Sequence, residues 1–261
     1  MSNILYSLYS KIPNLPIIGT INNKIWCYNC NIKNKDIKMS YTNGYFNIAL
    51  KDFNFKCYDN FFYEWHCVKG YLRSYSPKSG DTVLDIGAGF GDFSLYASKL
   101  VGNTGLIIAF EPDPKNFERL RKNIELNNLT NVRAVKKLVL DSDREKIPFN
   151  CLGKDCSSIK LSLDNNDKVE FIPAVSLDKE IERMNIKKIN FIKMDVESAE
   201  VDILKGCAKL MKNNPINFAI ASYHPWNNKE SYHELEKIFK ARGYEYKTEY
   251  PVHLTTYAWP K

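Results

Sequence analysis

At 261 residues, with 44% hydrophobic, 26% charged and 13% aromatic residues, the chain is long enough to bury a core and lies far from the composition of disordered segments. A formal net charge of +7 and an isoelectric point near 8.9 admit an acidic partner such as RNA, an anionic glycan or a phosphorylated metabolite. Lysines are scattered among nearly as many acids, however, so no basic run marks a nucleic-acid face. Seven cysteines, an odd number without an export signal, argue against a disulfide framework and for reduced thiols.

The first 21 residues are interrupted by Lys11, Pro13 and Pro16 and read as neither a spanning helix nor a secretory segment, so a cytoplasmic protein is expected. Ile4, Leu5, Leu8 and Ile12 fit one face of a short amphipathic helix that packs on the body, with membrane docking as the alternative. Cys27 and Cys30 form a C-x-x-C pair with Cys57, His66 and Cys67 downstream. The irregular second half is no zinc knuckle, and buried thiols are expected. Residues 41–75 are aromatic-rich, with mixed strand and helix signals around Phe53, Phe55, Phe61, Phe62 and Trp65. The composition shifts at Ser76-Pro77-Lys78-Ser79-Gly80. Residues 1–76 therefore read as an N-terminal α+β extension, expected to cover the acceptor side of the site, and 77–261 as the main domain.

From there strands and helices alternate. Residues 82–86 read as a strand ending in a glycine loop, 93–100 as a helix, 106–110 as a strand and 114–127 as a helix opened by a proline. A third strand follows at 132–140, and 159–173 reads as a hairpin or two extended pieces. Residues 176–184 form a predicted helix with Ser176 as its cap. Next come a strand at 189–194, a helix at 199–212, a strand at 218–222 and a helix at 232–242 ended by Gly243. Segments 244–249 and 255–259 are joined directly, which implies an antiparallel pair. This order predicts an α/β fold with a mostly parallel sheet, helices on both faces and ligands at the carboxyl ends of the strands.

The most informative stretch is Val83-Leu84-Asp85-Ile86-Gly87-Ala88-Gly89-Phe90-Gly91-Asp92, a strand running into three alternating glycines and a helix. Such glycines let the chain turn sharply and let a ligand approach the main chain. The third glycine falls one place too early for a dinucleotide fingerprint, and Asp92 occupies its slot. Asp85 and Asp92 would repel a pyrophosphate, whereas S-adenosylmethionine (SAM) carries a cationic ammonium and sulfonium that Asp85 can favour directly or through water. Glu111, followed by Pro112 and Asp113, ends the second strand about 20 residues later, where related folds place a carboxylate on the ribose hydroxyls.

Asp85-Ile86-Gly87-Ala88-Gly89-Phe90-Gly91, Phe110-Glu111-Pro112 and Ile192-Lys193-Met194-Asp195-Val196-Glu197-Ser198-Ala199-Glu200 together resemble the FkbM family of class I SAM-dependent methyltransferases, from about residue 77 to the end. The departure is Ser198, where the family usually has glycine. The resemblance implies a Rossmann-like, mostly parallel seven-stranded sheet with an antiparallel C-terminal strand, and methyl transfer from SAM, usually to a hydroxyl of a sugar, polyketide or other natural product. The candidate cofactor-binding residues are Asp85, Gly87, Ala88, Gly89, Gly91, Phe93, Glu111, Pro112 and Asp195.

An alcohol must lose its proton to a base, or to solvent when a metal acidifies it. Asp195, at the carboxyl end of the fourth strand, is the first candidate for this chemistry, and Glu200 is a further catalytic candidate. Glu197 and Glu200 also suit the start of the next helix, where the dipole favours acids. His224, in Ser222-Tyr223-His224-Pro225-Trp226, closes the next strand and reads as a base, a metal ligand or a structural histidine. Tyr223 and Trp226 can wall a substrate pocket. Asp195 and His224 together suit magnesium or manganese, but spacing identifies no third ligand, and no metal site is assigned. The expected acceptor is a small-molecule or glycan hydroxyl. RNA ribose methylation and a non-catalytic SAM-binding role are the alternatives, and the Asn/Asp-Pro-Pro-Tyr/Phe loop of base-amine methylation is absent.

Overall fold

A computed structural model describes residues 16–151 and 169–261, in two compact units, one ending at Phe62 and the other running from Tyr63 to Lys261. The helix face expected at Ile4 to Ile12 and the first part of the extended segment at 159–173 lie outside the described residues.

In the first unit a helix, α1 (Pro16–Lys33), packs on an antiparallel meander of β1 (Ile37–Thr42), β2 (Tyr45–Leu50) and β3 (Asn54–Cys57). Alternation puts Ile37, Met39, Phe46, Ile48, Phe55 and Cys57 on one buried face. Asn43 and Gly44 take left-handed backbone angles in a two-residue hairpin turn, the conformation that matches strand twist. Asn31 clamps helix to sheet: its side-chain amide donates to the Met39 carbonyl at 2.8 Å and accepts from the Met39 N–H at 2.7 Å. Cys27 and Cys30 are buried on α1, and burial pushes the Cys27 thiol up to about 11.

The second unit begins within α2 (Phe62–Tyr71) and is built on a seven-stranded sheet. Along the chain come β4 (Thr82–Ile86), α3 (Asp92–Val101), β5 (Leu106–Phe110), α4 (Pro114–Leu126), β6 (Val132–Val135), β7 (Leu138–Leu140), β8 (Arg144–Asn150) and β9 (Val169–Ser176). They are followed by α5 (Leu177–Arg183), β10 (Phe191–Met194), α6 (Glu200–Lys205), α7 (Ala208–Asn213) and β11 (Asn217–Ala221). A small hairpin of β12 (Pro225–Trp226) and β13 (Lys229–Glu230), then α8 (Tyr232–Ala241), β14 (Tyr244–Glu249) and β15 (Thr255–Pro260), complete it.

The sheet order is β14-β15-β11-β10-β4-β5-β6. Strands β4, β5, β6, β10 and β11 run parallel, and β15 is antiparallel to both β11 and β14. This is the expected Rossmann-like architecture, a mostly parallel seven-stranded sheet with an antiparallel C-terminal strand. Strand order reverses beside β4, whose neighbours β5 and β10 are followed by crossovers on opposite sides, so the carboxyl ends of β4 and β10 flank the natural ligand crevice.

Period-two alternation divides the core. Leu84, Ile86, Ile108, Phe110, Ile192, Met194, Phe218 and Ile220 face one large cluster with Leu204, Leu235 and Phe239. On the opposite face Phe191 meets Phe93 of α3, and Ala109 meets Leu120 of α4. Asp85 belongs to this second face and receives a 2.6 Å hydrogen bond from Ser94 of α3.

Two predicted elements are divided in the structure. The strand expected at 132–140 is β6 in the main sheet and β7 in a separate three-stranded sheet with β8 and β9, because the chain leaves the first ladder at Lys136 and Lys137. The helix expected at 199–212 is α6 and α7. A Cβ at Gly206 would overlap the Leu140 carbonyl oxygen, and the Asp178 carboxylate accepts from the Lys209 and Leu210 N–H groups at 2.9 and 2.8 Å, restarting the helix. Ser176 sits at the expected N-terminal position of α5 but makes no side-chain cap bond, its own N–H donating to Asp143 at 3.0 Å.

Candidate active site

The chain turns abruptly after β4. Gly87 has φ +76°, and a Cβ on it would overlap the Asp195 carbonyl oxygen, since β10 lies directly beside β4. The Gly87 and Ala88 N–H groups both donate to the Phe110 carbonyl at 3.0 Å, tying the loop to β5. Gly89, at φ +55°, has open space where a side chain would be and so presents bare main chain to a cavity of about 320 Å³. That volume falls at the lower end of small-molecule sites.

Beneath the loop lies a buried ion pair. Lys193 stands in register with Asp85 across β10 and β4, its ammonium 3.1 Å from Asp85 Oδ1, and it also donates to the Gly87 carbonyl at 2.8 Å. Burial pushes the ammonium down, but the charges of Asp85, Asp195 and Asp92 outweigh it and hold Lys193 protonated. Asp85, bound by Ser94 and Lys193, does not line the cavity. Its charge is met by a lysine that the sequence reading did not single out.

Glu111 forms the floor. It is 5% exposed, accepts from the Gly89 N–H through Oε2 at 2.7 Å and from the Asp113 N–H through Oε1 at 2.8 Å. Burial pushes its carboxyl up to about 8, against the lowering effect of those two donors. Asp113 caps α4, accepting from the Lys115 and Asn116 N–H groups at 2.8 and 3.1 Å.

At the far end, Asp195 follows β10, and its Oδ2 accepts a 2.8 Å hydrogen bond from the buried Tyr71 hydroxyl of α2. His224 lies behind it, 3% exposed, with Nδ1 2.5 Å from Glu200 Oε1. Its Nε2 is 3.7 Å from Asp195 Oδ1 and 3.5 Å from Glu197 Oε2. Burial pushes the imidazole down, but Glu197, Glu200 and Asp195 outweigh it and bring His224 up to about 10. Glu200 is the first residue of α6 and fully buried; Glu197 precedes the helix and has φ +52°, followed by Ser198 at φ +82°. Glu197 therefore serves the Asp195 and His224 cluster rather than the first turn of the helix.

Of the residues expected to bind cofactor or act in chemistry, Gly87, Gly89, Glu111, Pro112 and Asp195 line the cavity. Asp85, Ala88, Gly91, Phe93, Glu200 and His224 are not among the lining residues. Tyr223 is part of the wall; Trp226 is not, and packs beneath Lys205, whose ammonium is 5.0 Å from its ring centroid. Three lining residues come from α2, namely Glu64, Cys67 and Tyr71. Five carboxylates and two lysines line the cavity, and both lysines are paired, Lys193 with Asp85 and Lys137 with Glu180 at 2.6 Å. Burial pushes two of the five carboxyls, Asp92 and Glu111, up to about 8, so the negative field that favours a cation over a phosphate comes from Glu64, Asp195 and Glu197.

The sequence profile of the methyltransferase FkbM domain matches residues 85–246. Among curated relatives, the chain is 30% identical over 164 residues to a probable cobalt-precorrin-6B C(15)-methyltransferase (decarboxylating) of Saccharolobus solfataricus, covering 57% of this chain and 81% of that protein. It is 26% identical to the hexuronic acid methyltransferase AglP of Haloferax volcanii, covering 55% of this chain and 56% of the relative, so the chain spans little more than half the length of that protein. Among solved structures, fibrillarin of Aeropyrum pernix in complex with S-adenosyl-L-methionine superposes with a TM-score of 0.47 at 14% identity, covering 86% of this chain and 100% of the other.

Proposed function

The chain belongs to the methyltransferase FkbM domain family, and from that premise we propose that it transfers the methyl group of SAM to a hydroxyl of a sugar, glycan or other small natural product. The observation that carries this reading is the arrangement of Asp195: a carboxylate at the carboxyl end of β10, facing the same cavity as Gly89 and Glu111 and held by Tyr71 on its other oxygen.

The residues present suit SAM. Glu111 keeps an accepting lone pair on each oxygen beyond its two backbone donors, which fits the ribose hydroxyls. The open main chain at Gly89 leaves room for a ligand against the loop, and the acid-rich lining suits an ammonium and a sulfonium. When bound, SAM supplies an electrophilic methyl group whose leaving thioether is neutral. Lys193, tied to the Gly87 carbonyl and Asp85, keeps the loop in place.

Asp195 acts on the acceptor. Its Oδ1 takes the hydroxyl hydrogen bond and then the proton, while Tyr71 fixes the carboxylate through Oδ2. Holding the acceptor oxygen in line supplies much of the rate. Acceptor selection, expected for the segment before Pro77, narrows to Glu64, Cys67 and Tyr71 on α2, facing Tyr223. The name of the Haloferax relative supports a sugar acceptor. The acidic lining disfavours a polyphosphate backbone, which weighs against RNA.

Incubation with methyl-labelled SAM and a fractionated cell extract tests the reading. Label in nuclease-resistant material that yields an O-methyl sugar or small methyl ether on hydrolysis is expected. Label lost on ribonuclease treatment would move the assignment to RNA, and label on carbon would move it toward the chemistry named for the Saccharolobus relative.

A further inference from the structure

We propose that Asp195, Glu197 and His224 form a divalent-cation site at the acceptor end of the cavity. One donor atom from each of the three lies within 4.8 Å of the others. Donors held about 2.0 to 2.2 Å from a common ion lie roughly 3 to 4 Å from one another. The Nε2 distances of 3.5 Å to Glu197 Oε2 and 3.7 Å to Asp195 Oδ1 match that spacing and are too long for good hydrogen bonds.

The histidine supplies the independent observation. His224 is 3% exposed, and its Nε2 has no hydrogen-bond partner among the described residues although it lies within 3.5 to 3.7 Å of both carboxylates. A buried polar atom left in that state is costly and calls for an occupant. The other ring nitrogen is engaged by Glu200 at 2.5 Å. A carboxylate that orients a histidine through Nδ1 is the support commonly found behind a metal-bound imidazole, and an ion entering here takes the Nε2 lone pair by displacing its proton. Tyr71 occupies Asp195 Oδ2 and leaves Oδ1 to face the cluster, with one lone pair for the ion and a second for the acceptor hydroxyl. Asp195 and Glu197 also line the cavity, so the remaining coordination positions open toward the acceptor. Glu197 reaches this place only because it and Ser198 both adopt left-handed angles, φ +52° and +82°.

Two carboxylate oxygens and one imidazole suit a first-row divalent ion such as manganese(II). Binding of the ion stands apart from the choice of acceptor. Its consequence, a more acidic hydroxyl, rests on the hydroxyl-acceptor reading.

The test is a titration of the chelator-treated full chain with Mn²⁺, following loss of the free-ion electron paramagnetic resonance signal, with methyl-label transfer measured on the same samples. One Mn²⁺ per chain is expected. Binding should weaken at least tenfold in Glu197→Gln and His224→Asn, and about 10- to 100-fold in the orienting variant Glu200→Gln. Glu197 is half-exposed on a turn, so Glu197→Gln keeps the test decisive should His224→Asn unfold. Absence of Mn²⁺ binding below millimolar concentrations, or equal affinity in wild type and Glu197→Gln, would overturn the site. Mn²⁺ bound at the site without label on any hydroxyl would sustain the site and overturn the acceptor reading; label on a hydroxyl with no ion bound would do the reverse.

Discussion

At the glycine-loop end of the cavity, the buried Asp85 carboxylate meets the buried Lys193 ammonium, the Glu111 oxygens meet two backbone N–H groups, and the loop is tied to β5 through the Phe110 carbonyl. At the other end Asp195, Glu197 and Glu200 crowd around one imidazole, whose Nε2 has no hydrogen-bond partner among the described residues, and the turn at Glu197 and Ser198 holds two consecutive non-glycine residues in left-handed angles. At the first end the protein supplies the partners, with Asp85 Oδ1 held by the Lys193 ammonium at 3.1 Å, and such a fixed arrangement is what the proposed cofactor cradle requires. The second concentrates clustered charge and backbone strain at the end proposed for the acceptor, and such features collect at sites of chemistry.

Substitutions should break the two ends differently. At Gly87 a Cβ has nowhere to go without parting β4 from the Asp195 backbone, so Gly87→Ala is expected to abolish measurable SAM binding by calorimetry and to give the largest fall in melting temperature. Gly89→Ala, placed in open space, should lose only about 1 to 2 kcal/mol from its left-handed backbone. Similar melting curves for the two would contradict the close approach of β10. Removing the ammonium in Lys193→Met leaves Asp85 as a buried, uncompensated charge and should cost about 3 to 5 kcal/mol in denaturant unfolding. The smallest effect belongs to the strained turn. Ser198→Gly relieves one left-handed residue and should stabilise by about 1 kcal/mol, and a loss of stability there would refute the strain.

The fold was legible because its signals are local. Alternating apolar runs, the loop from Gly87 to Gly91 and the uninterrupted passage from β14 to β15 each lie within a few residues, and the sheet follows from their order. Glycine 206 and Asp178 divided a predicted helix through contacts from other elements, which no local pattern carries. In the candidate site, the places of Gly87, Glu111, Asp195 and His224 after strand ends were readable, while their roles are proposals. Tyr71 was not, since the residue it binds lies 124 positions away. Lys193 did leave a sign: it is the one charged residue in Phe191-Ile192-Lys193-Met194, a fully buried strand, just as Asp85 is in β4. Two opposite charges in neighbouring buried strands call for each other. Glu197 was assigned to a helix start because the turn at Ser198, where the family usually has glycine, cannot be placed from residue types alone.

The account turns on Asp195, and the most direct measurement compares SAM affinity with methyl transfer in Asp195→Asn, which keeps the shape and the acceptor for Tyr71 but removes the charge. Affinity within about tenfold of wild type with transfer reduced roughly 10²- to 10⁴-fold is the expected result. Transfer at the wild-type rate would contradict the role given to Asp195 and with it the reading of the acceptor end.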